Sequence, residues 1–307
     1  RQGFTCFWRY TIPDTLAANI AESYDALIAA TVALMPQTAP LMNLVRRMNI
    51  EKGHNAVLVP RMNSTFTVQT PTEGDELVST SQYDLTSTTI TPTLRALYVR
   101  LSSRAENYSR DNVMAFVSKE LARAQGQDID TDISAEFANL TNTDVGATSR
   151  NLRIADIRRA RRLLLAVTPA NGGPAPMPIY LVISPMQEEL LLADGGALGQ
   201  LSTAGTNTAP WVPDGLSKDL ISNYFVGSWF GIPVFRDGYI VTAASAFSGG
   251  FFSKEAIMLA ISKDWQVKVF EESSWIGPII RSVADYNSGI PSYGQWGSEV
   301  LSNDTSP

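Results

Sequence analysis

The stretch that decides the fold is SRDNVMAFVSKELARAQGQDIDTDISAEFANL, residues 109–140. Its apolar residues recur at helical spacing, and Ser109 and Asp111 stand where an N-cap and a first-turn acid belong. One helix of ~32 residues would be ~48 Å long, beyond the ~35 Å diameter of a compact chain of this size. We therefore predict a spine helix that packs against other molecules. The alternative is two ordinary core helices broken at Gly126, because glycine costs roughly 1 kcal/mol in a helix.

A strand-rich region, residues 55–101, precedes the spine helix. Its many Val, Thr, Leu, Ile and Tyr residues predict strands at 56–59, 64–69, 85–93 and 94–101. A long two-stranded ribbon is marginal on its own in water. The ribbon is therefore also expected to lie on a neighbouring molecule.

The middle of this region, residues 71–84, has little that can be buried. It contains Glu73, Asp75 and Glu76 around a glycine, followed by a serine- and threonine-rich run. We predict an acidic turn at the ribbon tip and expect these carboxylates to contact a neighbouring subunit.

The N-terminal residues 1–54 are interpreted as an arm. Phe7 and Trp8 belong to an aromatic segment too short to have its own core, so they are expected to pack on something else. Helices are predicted at 13–35 and 41–48, each preceded or opened by proline.

A helix with two contrasting sides is predicted at 154–167. Ile157, Leu164 and Leu165 are expected to face inward. The other side carries Arg158, Arg159, Arg161 and Arg162. Such a run can indicate a nucleic-acid patch. However, Asp156 is close by and no aromatic residue lies between the arginines, which favours a solvated or subunit-facing surface.

Residues 179–183 form an apolar run typical of a buried central strand. Ser184 and Pro185 then predict a helix start, with serine as the cap and proline at the first position. Most of the final third is predicted to be strand. These later strands are predicted at 232–235, 257–261, 267–272 and 276–286.

Composition excludes several classes of protein. The 307 residues include 30 acidic and 24 basic side chains, and a net charge of -6 argues against a surface built to bind nucleic acid. A lone cysteine, Cys6, excludes an internal disulfide and a cysteine-based metal site. No apolar run of about 18 residues occurs, so no membrane span is predicted.

Candidate catalytic and metal-binding motifs are weak. His54 is the only histidine and lies in a turn-like Gly-His-Asn segment without a G-x-S-x-G motif elsewhere, which favours a surface role. Asp128, Asp130 and Asp132 superficially suggest a calcium loop, but the glycine and glutamate that such a loop needs are missing. The glycines at 195–199 follow a predicted helix, whereas a dinucleotide-binding loop follows a strand. We therefore predict no catalytic residue, cofactor or metal.

The order of these elements resembles a tailed-phage major capsid protein of the Hong Kong 97 fold. The resemblance covers roughly residues 15–290, and its weight lies in the order and spacing of five short motifs. These are Val57-Leu58-Val59-Pro60, Glu73-Gly74-Asp75-Glu76, Tyr98-Val99-Arg100-Leu101-Ser102, Leu181-Val182-Ile183-Ser184-Pro185 and Phe230-Gly231-Ile232-Pro233-Val234-Phe235.

This resemblance implies an α+β fold with an N-terminal arm, an extended hairpin called the E-loop, a spine helix, a peripheral domain and an axial domain. The implied divisions are an arm at 1–54, an E-loop at 55–101, a peripheral domain at 102–151 and 263–301, an axial domain at 152–262 and a tail at 302–307.

The resemblance also implies a structural protein without enzymatic activity. It would form hexamers and pentamers of itself in an icosahedral virion capsid around double-stranded DNA, assembled in the host cytoplasm. Scaffold, portal and decoration proteins are further candidate partners, packaged DNA would bind weakly, and no membrane is involved. Because no lysine lies between Lys52 and Lys119, the lysine–asparagine crosslink of some family members is not expected.

Two alternatives stay open. An encapsulin-like compartment would have the same fold and enclose cargo enzymes instead of a genome. An intracellular enzyme would use carboxylate catalysis in the compact domain, where Asp194 and Asp237 stand beside glycines.

Overall fold

In the residues that it describes, a computed structural model has an α+β architecture of helices and three sheets. It describes residues 28–29, 31, 39–62, 68, 70, 73, 84–102, 113–191, 225–229, 231–240, 242–243, 246–271, 277–291 and 293–303. The helices are α1 (Leu41–Leu44), α2 (Val113–Ala135), α3 (Ile154–Leu165) and α4 (185–191). Short 3-10 helices cover Glu136–Asn139, Pro169–Asn171 and Gly294–Trp296.

The strands are β1 (Arg46–Asn49), β2 (Val57–Met62), β3 (Leu85–Ile90), β4 (Thr93–Arg100), β5 (Val145–Gly146), β6 (Ile179–Ile183), β7 (Phe225–Trp229), β8 (Ile232–Arg236), β9 (Thr242–Ala243), β10 (Ala246–Ser253), β11 (Met258–Glu271), β12 (Pro278–Gly289) and β13 (Gly297–Asn303).

The spine helix is α2, and it runs unbroken through Gly126. The 3-10 turn Glu136–Asn139 extends it, so the rod is ~40 Å long. The prediction of one long helix is confirmed in these residues, and the alternative of a break at Gly126 is wrong. Gly126 is buried, so packing offsets its low helix propensity. The predicted cap at Ser109 lies outside the described residues.

A four-stranded sheet in the order β1-β11-β12-β4 lies against the spine helix. Leu121 of α2 packs with Val267 of β11 and Ile280 of β12. The two strands predicted at 257–261 and 267–272 are one strand, β11. The polar residues between them do not end pairing, because register shifts around Lys263 absorb the irregularity while β12 continues alongside.

The helix predicted at 41–48 is wrong in its second half. Helix α1 ends at Leu44, Val45 is extended, and β1 pairs in parallel with the start of β11. Leu41 and Leu44 are buried in the main core. Tertiary pairing with β11 therefore overrides the local helical pattern.

A second sheet has the strand order β5-β13-β10-β6-β8-β7, with β9 paired to β10. Its centre is β6, which is buried and paired on both sides, so the predicted central strand is confirmed. Strands β5 and β13 belong to this sheet, although residues 145–146 and 297–301 fell in the predicted peripheral domain.

Strand β10 was not predicted from the sequence, because glycines interrupt its apolar pattern. The structure requires them. A Cβ on Gly249 would stand 2.6 Å from the Val182 carbonyl oxygen, and one on Gly250 would stand 2.7 Å from the Phe137 ring. The glycines let β10 approach β6 on one side and the end of the spine on another.

Helix α3 covers one face of the second sheet, and α4 follows β6. Ile157 and Leu164 are buried as predicted, but Leu165 is 39% exposed, so its inward placement is wrong. The predicted cap at Ser184 is confirmed. The Gln187 amide donates to Ser184 Oγ at 3.2 Å, and the Ser184 amide donates to Gln187 Oε1 at 3.1 Å.

Several predictions fall outside the described residues. These are the helix at 13–35 except residues 28–29 and 31, which are helical as predicted, then Phe7, Trp8 and Cys6, the strand at 64–69 except residue 68, the carboxylates Asp75 and Glu76, and the loop that contains Asp194 and the glycines at 195–199.

Candidate assembly surfaces

The ribbon begins as an antiparallel hairpin of β2 and β3. Val57 lies opposite Ile90 at its base, and Met62 lies opposite Leu85 at the far end of the pairing. One face is anchored, because Val57 and Ile90 pack with Met258 of β11. The predicted two-stranded ribbon is confirmed over these residues.

The other face of the hairpin is apolar and uncovered. Successive side chains of a strand point to opposite faces, so Leu58 and Leu85 share the face that Val57 does not use. Leu58 is 63% exposed and Leu85 is 48% exposed. Serine and threonine fill the positions between them on β3 and cannot shield them. This face is therefore a candidate contact surface. It was not predicted from the sequence, where the only contact residues expected within the ribbon were the charged ones at its tip.

The outer end of the hairpin is held by Tyr293. Its hydroxyl donates to the Met62 carbonyl oxygen at 2.6 Å, and the Arg61 guanidinium carbon lies 5.9 Å from its ring centre. The ring also packs against Trp296 in a tilted arrangement, with centroids 5.0 Å apart. Gly172, at φ 95°, leaves room for it, since a Cβ there would lie 2.4 Å from the ring. Tyr293 thus connects the outer end of the hairpin to the 3-10 turn that contains Trp296.

Replacing this residue, Tyr293→Phe, is expected to loosen the ribbon. The ring stays, but the Met62 carbonyl loses a hydrogen bond worth about 1 kcal/mol, so we expect deuterium exchange at residues 57–62 to rise about fivefold. Mass-spectrometric hydrogen exchange measures this. Tyr180→Phe is the control, because the Tyr180 hydroxyl has no hydrogen bond in the part of the chain that the structure describes. Equal exchange in both variants would contradict the assignment.

The acidic side of the spine is tied to the four-stranded sheet. Arg95 of β4 binds Asp132 at 2.8 Å and lies 3.7 Å from Asp128. The Ser288 amide donates to Asp132 at 2.9 Å, and the Tyr286 hydroxyl donates to Asp128. Burial and the neighbouring Asp128 raise the pKa of Tyr286. Two of the three aspartates that suggested a calcium loop therefore attach the spine to the sheet.

The third aspartate, Asp130, is fully buried and accepts the Leu41 amide at 3.2 Å. Burial raises its pKa, and the charge of Asp237 raises it further. Asp237, a candidate of the enzyme hypothesis, is also buried and accepts the Tyr239 amide at 2.9 Å. Burial raises its pKa as well. At 1% exposure Asp237 is closed to a substrate in this conformation.

The Asp130 carboxyl makes stability depend on pH. Because its folded pKa lies above its unfolded value, the folded protein binds a proton that the unfolded chain releases, and stability falls as pH rises from about 4 to the folded pKa. The slope is at most about 1.4 kcal/mol per pH unit. Asp130→Asn keeps an acceptor for Leu41 and removes the part of the slope that Asp130 contributes, while the buried Asp237 still contributes a slope of the same sign. Urea unfolding from pH 4 to 8 tests it, and parallel curves for the two proteins would refute it.

Large apolar side chains also lie open on the spine and on β4. Phe116 of the spine is 66% exposed. Leu94 and Tyr98 are exposed on the face of β4 turned away from the spine, where Tyr98 meets Phe270 edge-on at 6.3 Å. Exposed aromatic and aliphatic groups on a rigid framework are typical of protein interfaces.

The four arginines of α3, which were predicted to share one side of the helix, do not form one cluster. Arg158, Arg161 and Arg162 line one open groove, together with Leu165 and Ala166. Arg159 is exposed but does not line the groove. None of the four forms a salt bridge with another residue in the described ranges. Arg158, Arg159 and Arg162 are exposed and Arg161 is half-buried, and a solvated or subunit-facing role of this side stays a prediction.

The remaining candidate residues from the sequence, Glu73 and His54, are both exposed. Glu73 lies at a turn, and the His54 backbone amide donates to the Glu51 carbonyl oxygen at 3.2 Å. Over the residues with described positions, no group of three or more His, Cys, Asp or Glu side chains could hold a metal ion. No described helix is long and apolar enough to cross a membrane.

Comparison with known proteins gives agreement in fold only. No family model and no curated protein matches the sequence. The capsid of Ralstonia phage GP4 matches with a TM-score of 0.63 at 12% identity, over 86% of this chain and 88% of that one. The capsid of cyanophage P-SCSP1u matches with a TM-score of 0.61 at 14% identity, over 85% and 87%. The SrpI encapsulin of Synechococcus elongatus matches with a TM-score of 0.60 at 8% identity, over 86% of both.

Proposed function

We propose that this chain, which has the Hong Kong 97 fold, is a major capsid protein that assembles into the icosahedral shell of a double-stranded DNA phage. The observation that carries the proposal is the agreement in fold with phage capsid structures over 85–87% of the chain. Those structures are similar along most of their own length too, so the likeness extends well beyond a single shared domain.

The exposed surfaces give this proposal a physical basis. The ribbon face with Leu58 and Leu85, the spine residue Phe116 and the outer face of β4 all leave apolar area in water. Burying such faces between copies supplies the free energy of assembly, and obligate interfaces typically bury 2,000–5,000 Å². Such a protein acts through assembly, and it would do so without a catalytic residue, cofactor or metal.

The sheets suggest revised domain boundaries within this proposal. The second sheet with α3 and α4 is assigned to the axial domain, and the four-stranded sheet with α2 to the peripheral domain. Pairing of β4 with β12 supports an E-loop that ends at about residue 92. Pairing of β13 with β10 supports an axial domain that includes the last strand. The N-terminal residues up to about 38 would form the arm.

The proposed partners are copies of the same chain in hexamers and pentamers of a virion. Scaffold, portal and decoration proteins are proposed as further partners, with only weak contact to packaged DNA. Electron microscopy of the native assembled protein tests the central claim. Closed particles of uniform size support it, and a monomer or small oligomer under native conditions overturns it.

An encapsulin-like compartment is the second candidate, because the SrpI encapsulin matches with a TM-score close to those of the phage capsids. The contents of purified native particles separate the two functions. Packaged double-stranded DNA supports a capsid, whereas an enclosed enzyme supports a compartment.

The shell is expected to be held together without covalent bonds. The ribbon has no lysine between Lys52 and Lys119 to form an isopeptide bond. Purified particles boiled in SDS are therefore expected to give one band at the mass of a single subunit. A ladder of multimers that survives boiling and reductant would contradict this.

A further inference from the structure

One face of α3 combines positive charge with an apolar end. Arg158, Arg161, Arg162, Leu165 and Ala166 follow the spacing i, i+3, i+4, i+7 and i+8, which places them on the same side of a helix. They line an open groove of about 530 Å³. We call this the arginine face.

The charge of this face is not neutralised within the described residues. The one acid of the helix, Asp156, is already bound by both terminal nitrogens of Arg150, each at 2.7 Å. These bonds lower the pKa of Asp156 against the opposing effect of its burial. Arginines three and four positions apart repel one another, so the face gains stability when carboxylates approach it.

The densest acidic stretch of the chain is Glu73-Gly74-Asp75-Glu76, and Leu77 and Val78 follow it directly. The arginine face has the same order along the chain: the charged residues come first, and the apolar residues Leu165 and Ala166 follow. The other close group of acids, at 128–132, is occupied by bonds to Arg95, Ser288 and Leu41.

We propose that the arginine face binds the acidic segment 73–76 of a second copy of this chain. The carboxylates bind Arg158, Arg161 and Arg162, and Leu77 and Val78 cover Leu165. This inference rests on the proposed shell function and names one contact that holds neighbouring subunits together.

Two observations favour this occupant. The ribbon base packs on β11 of the four-stranded sheet, whereas α3 packs against β5 and β13 of the other sheet, so the two surfaces belong to different parts of one subunit. The face has an exposed leucine and no aromatic side chain for base stacking, and the chain carries a net charge of -6. These features fit an acidic protein segment better than nucleic acid.

Charge reversal tests the contact in the full-length chain. Arg162→Glu is expected to raise the subunit concentration needed for half-maximal assembly at least tenfold, measured by sedimentation. Arg159→Glu makes the same charge change on the same helix outside the groove, and we expect less than a twofold change. Thermal unfolding followed by circular dichroism confirms that both variants fold. Equal effects of the two variants would overturn the proposal.

A mixing experiment identifies the partner segment. The double variant R158E/R162E and the triple variant E73K/D75K/E76K are each expected to assemble poorly alone. Mixed in equal amounts they are expected to form more particles than either forms alone, because each junction between unlike variants pairs opposite charges. Restoration only when all five changes are in one chain would mean a contact within the subunit and would overturn the proposal. Normal assembly of R158E/R162E with loss of bound nucleic acid would overturn it too. If the unaltered protein formed no particles, the proposed function itself would fail.

Discussion

Deletion of residues 71–84 is expected to abolish closed particles while the subunit still folds. The strands described for the two large sheets and the spine helix lie outside residues 71–84, and the hairpin pairs up to Met62 and Leu85. The segment has few apolar residues, so its loss removes little burial from the core. The deletion removes the ribbon residues that are furthest in sequence from the hairpin base, which is the part that packs on β11.

Electron microscopy of the deletion variant measures the loss of closed particles, and circular dichroism measures whether the subunit still folds. A variant in which glycine and serine replace residues 71–84 at the same length is the control. If side chains of the tip make the contacts, it fails as the deletion does; if length alone matters, it assembles. Normal shells from the deletion itself would mean that the tip is dispensable.

Phe137→Ala is expected to cost about 3–5 kcal/mol of subunit stability. The ring is fully buried, lies 5.4 Å from the ring of Phe252, and fills the space that Gly250 leaves in β10. Truncation leaves a cavity at the point where the spine meets the second sheet. Urea unfolding of the disassembled subunit measures the loss.

Phe116→Ala is the matched variant, the same change near the other end of the spine. Because Phe116 is 66% exposed, subunit stability is expected to change by less than about 0.5 kcal/mol. Assembly is expected to weaken if this ring packs on a neighbouring copy. A stability loss as large as that of Phe137→Ala would mean that Phe116 belongs to the subunit core.

Sequence periodicity was sufficient to predict the elements in which buried residues follow a regular local spacing. The spine, the central strand β6 with its Ser184 cap, and helix α3 all bury residues at regular spacing. The paired strands of the ribbon were also predictable, because their residues favour strands and a polar tip separates them. In the candidate site, sequence identified the arginines of α3, but not that Arg159 stands apart from the groove.

The elements that sequence analysis missed depend on distant partners. Strand β1 forms because the start of β11 is beside it, and the salt bridge of Arg46 with Glu255 joins residues 209 positions apart. Strand β10 tolerates Gly249 and Gly250 because its neighbours need that space. Tyr293 holds the ribbon through a bond to Met62, for which no local pattern gives a signal.

The sequence by itself thus determined the long helix, the ribbon and the central strand, because the spacing of apolar residues along each segment shows which residues are buried. Only the tertiary structure decided the strand order of the second sheet, the point where α1 ends and β1 begins, and which apolar faces are exposed. These depend on contacts between segments far apart in the chain, and local spacing carries no record of them.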